Sequence, residues 1–264
     1  MNVADKIERK FLSHAVDLSR FEAEVMQKAL LFLKLLDSEL AKDIADGLGT
    51  GYTQARLAAL KAQTKATIAT AYAKLETTVD KELKALAAVE QNFVVNAVNS
   101  SVGADLITTT LLPEQLKVIA SRNMIFGSPA KDFWKKQSAD MQDKFMAEIR
   151  MGIFRGEGLD QLTQRIRGKA TGKRTGYKTA SGKQRYLVDF KGGIMDVQTR
   201  NAKSLIRTSV QQVANSVMQN TFKANSDVIK GQVWLSTLDT RTTPYCRSVD
   251  GLEWDLEGKP IGGH

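Results

Sequence analysis

Ile68, Tyr72, Leu75, Val79, Leu83, Leu86, Val89 and Phe93 recur at steps of three and four residues, a spacing that only a helix places on one face. Ala fills many neighbouring positions and Lys or Glu occupies the opposite side, as in a long antiparallel hairpin or a coiled-coil seam. Ala-rich faces allow close approach but bury little area each, so this arm needs a partner surface. Burial inside a bundle, self-association and docking on another protein all satisfy that need. Upstream, Leu18, Phe21, Val25, Phe32, Leu36 and Leu40 mark an earlier helix that should end near Gly47, Gly49 and Gly51, where helix propensity collapses. Residues 1–102 are therefore expected to form a helical hairpin or coiled-coil arm.

From Asn99 to Pro129 the periodicity breaks at Gly103, Pro113, Gly127 and Pro129. Residues 103–128 read as a linker with one short helix around Glu114 to Ser121, and the domain boundary is placed there. Ser128-Pro129 predicts the start of the next helix, with Ser as N-cap and Pro in the first turn. That helix carries Phe133, Trp134, Met141, Phe145, Ile149 and Ile153, with Trp134 in the core, and should stop at Gly156-Glu157-Gly158. Leu159 to Ile166 forms a short amphipathic helix. The stretch GKATGKRTGYKTASGKQRYLVDFKGGI then predicts a hairpin: Arg174 to Lys178, a turn near Ser181-Gly182, and Gln184 to Phe190. Ile194 to Ser226 is helical again, burying Ala202, Leu205, Ile206, Val210, Val213, Val217 and Met218. Gln232 to Ser236 reads as a strand before a turn-rich tail. The expected fold is mainly α: a long N-terminal helical arm followed, over 129–264, by a small α+β C-terminal domain with a basic β-hairpin.

A chain of 264 residues can bury a sizeable core without staples. Its single Cys, Cys246, has no intrachain partner, which suits synthesis in a reducing cytoplasm. No apolar run approaches the roughly 18 residues of a membrane span, and the N-terminus lacks the order of a secretory signal, so a soluble protein without a membrane partner is expected. Charge is uneven. Between Gln161 and Lys230 there are 14 Lys and Arg against three Asp, a local +11 in a chain whose total is +9, so the remainder is slightly acidic. An anionic partner should be met in that segment.

Its densest part is the hairpin, where Lys169, Lys173, Arg174, Lys178, Lys183, Arg185 and Lys191 interleave with Tyr177, Tyr186 and Phe190. Cations gain affinity by neutralising phosphates and releasing counterions, and aromatic rings stack on exposed bases. DNA or RNA contact competes here with an acidic protein surface and with a solvated loop. No helix-turn-helix, zinc-finger or RNA-recognition signature accompanies the charge, so contact without sequence preference is expected.

Residues 234–254, WLSTLDTRTTPYCRSVDGLEW, hold residue types that bind metals or do acid–base work: Asp239, Arg241, Cys246, Asp250, and beyond them His264. One Cys and one nearby His do not make a closed zinc site, and neither His264 nor His14, a helix-surface or boundary residue, has a motif that places it beside the thiol. No metal, no cofactor and no catalytic residue is expected. A structural role fits better, with Asp239 capping a turn, Arg241 pairing with a carboxylate or carbonyl, Asp250-Gly251 turning the chain, and Trp234 and Trp254 closing over a small core. No GxxxxGK[ST], post-strand GxGxxG, HExxH or GxSxG occurs, which removes the commonest routes to an ATPase, a dinucleotide enzyme, a zincin or an α/β-hydrolase.

Taken together, Leu205-Ile206-Arg207-Thr208, Ala214-Asn215, Val233-Trp234, Asp239-Thr240-Arg241-Thr242, Cys246 and Asp250-Gly251 resemble the C-terminal signature of phage head morphogenesis proteins, the Mu F-like minor head proteins of tailed phages. With Phe133-Trp134 and Gly156-Glu157-Gly158-Leu159 upstream, the resemblance covers roughly residues 125–264. It implies that Arg207, Thr208, Asn215, Trp234, Asp239, Arg241, Cys246, Asp250 and Gly251 form a structural motif. It also implies a non-enzymatic virion component inside the capsid near the portal vertex, made in the host cytoplasm, acting in head assembly and in DNA packaging or ejection. Its partners would be portal protein, major capsid or scaffold protein, and double-stranded DNA without sequence preference. The family pattern continues past Asp-Gly to a His and a Cys-containing end, whereas this sequence stops at His264: either that last segment is missing from it or this member lacks it, and the companions that a disulfide or metal role for Cys246 would need are not among these residues. The hairpin at about 169–193 looks like an insertion. Two rivals stand beside this expectation: a toxin-like or metal-dependent nucleic-acid-processing enzyme using Asp239 and Asp250, and a plain coiled-coil adaptor.

Overall fold

A computed structural model describes residues 2–125, 127–236 and 242–261. The chain is mainly helical, with long N-terminal helices followed by a small region of short antiparallel hairpins. Helices α1 (Val3–Leu48) and α2 (Gln54–Val102) lead, as their stripes predict. Next come α3 (Pro113–Ser121), a minimal hairpin of β1 (Met124–Ile125) and β2 (Ser128–Pro129), α4 (Ala130–Phe154) and α5 (Leu159–Arg167). A two-stranded ribbon follows, β3 (Lys169–Lys178) with β4 (Gln184–Lys191), and then α6 (Gly193–Ala224). Strand β5 (Gly231–Val233), the one-turn α7 (Pro244–Ser248) and β6 (Glu253–Asp255), which pairs with β5, complete the described chain.

The chain divides into two compact units, each assembled from separated stretches of sequence. One unit comprises 1–22, 83–123 and 210–264; the other comprises 23–82 and 124–209. The boundaries fall inside α1, α2 and α6 because each helix carries an apolar face along its whole length, so no single helix defines a unit.

In the unit of 23–82 and 124–209, α1 and α2 run antiparallel, as Lys28–Glu82 and the Gln63 to Asp43 hydrogen bond require. Leu33, Leu36, Leu40 and Ile44 meet a core that includes Ile68 and Leu75, all at most 1% exposed. Tyr72 donates to Gln198 Oε1 at 3.2 Å and Gln198 Nε2 donates to Asp140 Oδ2 at 3.0 Å, joining α2, α6 and α4 through a side chain with no exposed surface. Burial, with the Asp140 charge, raises the Tyr72 hydroxyl well above the usual phenol range. Trp134, Met141, Phe145 and Ile149 line the buried face of α4 as expected. The helix starts at Ala130 rather than at a Ser128 cap, because Ser128 is engaged in β2 opposite Ile125.

In the unit of 1–22, 83–123 and 210–264, Phe11 meets Phe93 edge to face at 5.0 Å and His14 stacks on the same ring at 3.6 Å. His14 Nε2 also reaches the buried Glu90 carboxylate at 2.9 Å, so this boundary histidine is fastened to α2. Val94, Val98, Ile107 and Phe222 form the local core. Asn225, 1% exposed, holds the 108–109 segment: its Oδ1 accepts from the N–H of Thr108 and Thr109, and its Nδ2 donates to the carbonyls of Thr109 and Thr221. Val89, which the α2 stripe assigns to the buried side, is 58% exposed. At three residues after Leu86 its position on a 3.6-residue helix has rotated to the edge of the stripe.

Candidate nucleic-acid interface

The hairpin expected at 174–190 is present and longer, because β3 begins at Lys169 and crosses an irregularity at Gly172 (φ 75°) before regular pairing resumes at Arg174 opposite Val188. From there Thr175 faces Leu187, Gly176 faces Tyr186, Tyr177 faces Arg185 and Lys178 faces Gln184. The tip closes through Thr179 and Gly182, the latter in the left-handed region at φ 77°.

Alternation along the strands separates two faces. Arg174, Gly176, Lys178, Gln184, Tyr186 and Val188 share one, and all are exposed; Tyr186 is 65% accessible. Thr175, Tyr177, Leu187 and Asp189 share the other and are half-buried. That inner face is tied to α1. Lys34 Nζ lies 2.6 Å from Asp189 Oδ1 and also donates to the Thr175 hydroxyl, which itself donates to Asp189 at 2.8 Å. One turn further along α1, Asp37 Oδ2 accepts from Arg167 Nε at 2.9 Å, and the Arg167 guanidinium lies 3.8 Å from the centroid of the Phe190 ring. Helix α1 thus contributes a cation and an anion, three residues apart, to the anion and cation that bracket the ribbon.

The two carboxylates respond oppositely. Burial dominates at Asp37 and raises its pKa, with the Arg167 charge and hydrogen bond opposing, and its Oδ1 is buried without a hydrogen-bond partner. At Asp189 burial acts the same way, but the Lys34 and Thr175 hydrogen bonds and the Lys34 and Lys173 charges together outweigh it and hold the group below the usual carboxylate range.

Of the nine sequence candidates, the outer face carries Arg174, Lys178 and Tyr186, while exposed Lys173, Lys183, Arg185 and Lys191 lie at the bulge, the tip, beside the tip and at the base. Lys169 is directly opposite Lys191, a like-charge pair that costs ribbon stability unless an anion lies against it. Tyr177 points to the inner face and is half-buried, so it is not part of the exposed surface. Lys34, Asp37 and Arg167 were not among the candidates. Their signal was a pair of opposite charges, Lys34 and Asp37, set among apolar residues of α1, where a lone charge is costly.

The expected C-terminal motif is only partly brought together. Ser236 is its centre: its N–H donates to Asp250 Oδ1 at 2.7 Å and its hydroxyl donates to the Cys246 carbonyl at 2.7 Å. Thr243 caps α7 by accepting from the Cys246 N–H, Gly251 turns at φ 79°, and backbone hydrogen bonds tie Trp234 to Gly251 and Leu252. Trp234 does not close over a core. The residue is 45% exposed and its indole N–H donates to the Ser236 hydroxyl, whereas Trp254 is half-buried. Arg207 and Asn215 lie on the exposed side of α6 and Thr208 is half-buried there. Asp239, Arg241 and His264 lie outside the described residues. No group of three or more His, Cys, Asp or Glu side chains suited to a metal occurs among the described residues, and none of their helices is long and apolar enough to cross a membrane. Comparison of the chain with protein-family models, with curated proteins and with solved structures gives no significant match.

Proposed function

We propose that this chain is a non-enzymatic minor head protein of a tailed phage, acting inside the capsid near the portal vertex in head assembly and DNA packaging or ejection. The observation that carries the proposal is the basic ribbon, which presents Arg174 and Lys178 on an open face while the Lys34–Asp189 ion pair secures its other face to α1. An excess of cations backed by a helix suits a polyanion better than a small ligand, because the charges are spread along a strand rather than gathered in a pocket. The C-terminal motif residues Arg207, Thr208, Asn215, Trp234, Cys246, Asp250 and Gly251 add the family resemblance. The long helical arm supplies the surface for portal, scaffold or major capsid protein, and the ribbon supplies non-specific contact with double-stranded DNA.

Quantitative mass spectrometry of purified particles and procapsids from the encoding phage tests this directly. The chain should be present in both at low copy number and should co-purify with co-expressed portal protein. Absence from both particle forms overturns the proposal.

A further inference from the structure

We infer that the outer face of the ribbon lies face-on in the major groove of duplex DNA, with Arg174 and Lys178 directed to the phosphates and Tyr186 toward the groove interior. The inference rests on the DNA-contact reading above and specifies the face, the residues and the form of nucleic acid.

Single-strand binders stack successive bases on several open aromatic rings. This ribbon has three aromatics and offers one. Tyr186 is 65% exposed, Tyr177 is half-buried on the inner face, and the Phe190 ring is covered by the Arg167 guanidinium at 3.8 Å. A lone ring is a poor track for a flexible strand.

A duplex fits the remaining geometry. The B-form major groove is about 12 Å wide and admits a two-stranded β-ribbon. The regularly paired segment, 174–178 with 184–188, spans about 16 Å at ordinary strand rise, long enough to follow the groove past more than one phosphate. Helix α1 engages the inner face through Lys34 and Asp189, which leaves the outer face between Arg174 and Lys178 as the open one. The deep, narrow major groove of A-form RNA would not admit it.

The test measures equilibrium binding of the full chain to duplex DNA, single-stranded DNA and duplex RNA of equal length across a salt series. Compared variants are Arg174→Ala with Lys178→Ala, Tyr186→Ala, and Lys183→Ala with Arg185→Ala. Lys61→Ala with Lys65→Ala, exposed on α2, is the charge-matched control. Melting curves verify that each variant folds. Duplex DNA should bind at least about tenfold more tightly than either other polymer. The Arg174/Lys178 variant should weaken it by about tenfold or more and lower the log–log salt slope by nearly two, while the control changes neither. Tyr186→Ala should weaken duplex binding several-fold at every salt concentration with no change in slope.

Preference for single strands, equal binding of duplex RNA, or retention of affinity in the Arg174/Lys178 variant with loss in the Lys183/Arg185 variant would each overturn the groove assignment while leaving nucleic-acid contact in place. Absence of wild-type binding even at low salt overturns the DNA-contact reading itself, and the groove assignment with it.

Discussion

Asn225 in one unit and the Asp37–Arg167 and Lys34–Asp189 pairs in the other perform the same task, fastening a segment more than a hundred residues away to a helix. The chemistry is opposite. Asn225 uses a neutral amide, almost fully buried, against backbone groups that would otherwise lack partners. The ribbon is held by charges that keep partial access to water: the Lys34 side chain is 37% exposed and that of Arg167 is 18% exposed. A neutral clamp is indifferent to salt and to pH across the physiological range. An ionic one is not, so the attachment of the basic ribbon is adjustable where that of the 108–109 segment is fixed.

The largest effect should come from Asn225→Ala, which orphans backbone donors at Thr108 and Thr109. A loss of about 3 kcal/mol is expected, seen as a melting temperature lower by roughly 6–12 °C, with DNA affinity unchanged. Arg167→Met should follow at about 2 kcal/mol, because it leaves the Asp37 carboxylate buried without its counter-ion. Adding Asp37→Asn should recover most of that loss. If Arg167→Met costs more than Asn225→Ala, the ranking of neutral over ionic fastening is wrong.

Acid–base behaviour separates the two carboxylates of the clasp. Asp37 has a native pKa raised above its ordinary value of 3.8, so its contribution is complete below that value and is lost as pH rises through the raised one. Asp189 is lowered, so its contribution is present above 3.8 and is lost as pH falls through the native value. Urea unfolding at a series of pH values should therefore show Asp37→Asn removing a decline just above that point and Asp189→Asn flattening the acid limb just below it. If neither variant alters its limb, the clasp is not coupled to protonation. Lys34→Met should cost no more than about 1 kcal/mol, diminishing with added salt. The exposed Lys117–Glu114 pair on α3 sets the floor: Lys117→Ala should move stability by no more than a few tenths of a kcal/mol.

Helices and their buried faces were legible because a face is a local property. The α6 residues Ala202, Leu205, Ile206, Val210, Val213 and Val217 repeat at helical spacing and are all buried. The hairpin was legible for the same reason, since Ser181-Gly182 marks the turn and β-prone residues flank it. What covers a face is not local. Nothing in the spacing of Lys34 and Asp189, 155 residues apart, pairs them, and nothing near Asn225 points to Thr108. Tyr177 illustrates the limit within the site. Composition makes it equivalent to Tyr186, and only the strand register assigns one to the half-buried face and the other to solvent. Trp234 misled in the other direction, because a large ring suggests a core while its backbone is the part the fold uses.

The make-up of the first unit has a consequence for biosynthesis. Residues 1–22 are translated well before 83–123 and 210–264, the stretches with which they share that unit. At roughly 5–20 residues per second, they must wait some 10–40 seconds for the Asn225 region to be translated. The ribbon and its α1 anchor lie wholly within 23–209 and are complete sooner. Once residues up to 209 have left the ribosome, the chain would already carry its basic ribbon while its leading helix still awaited its packing partners, open to chaperones or to assembly factors.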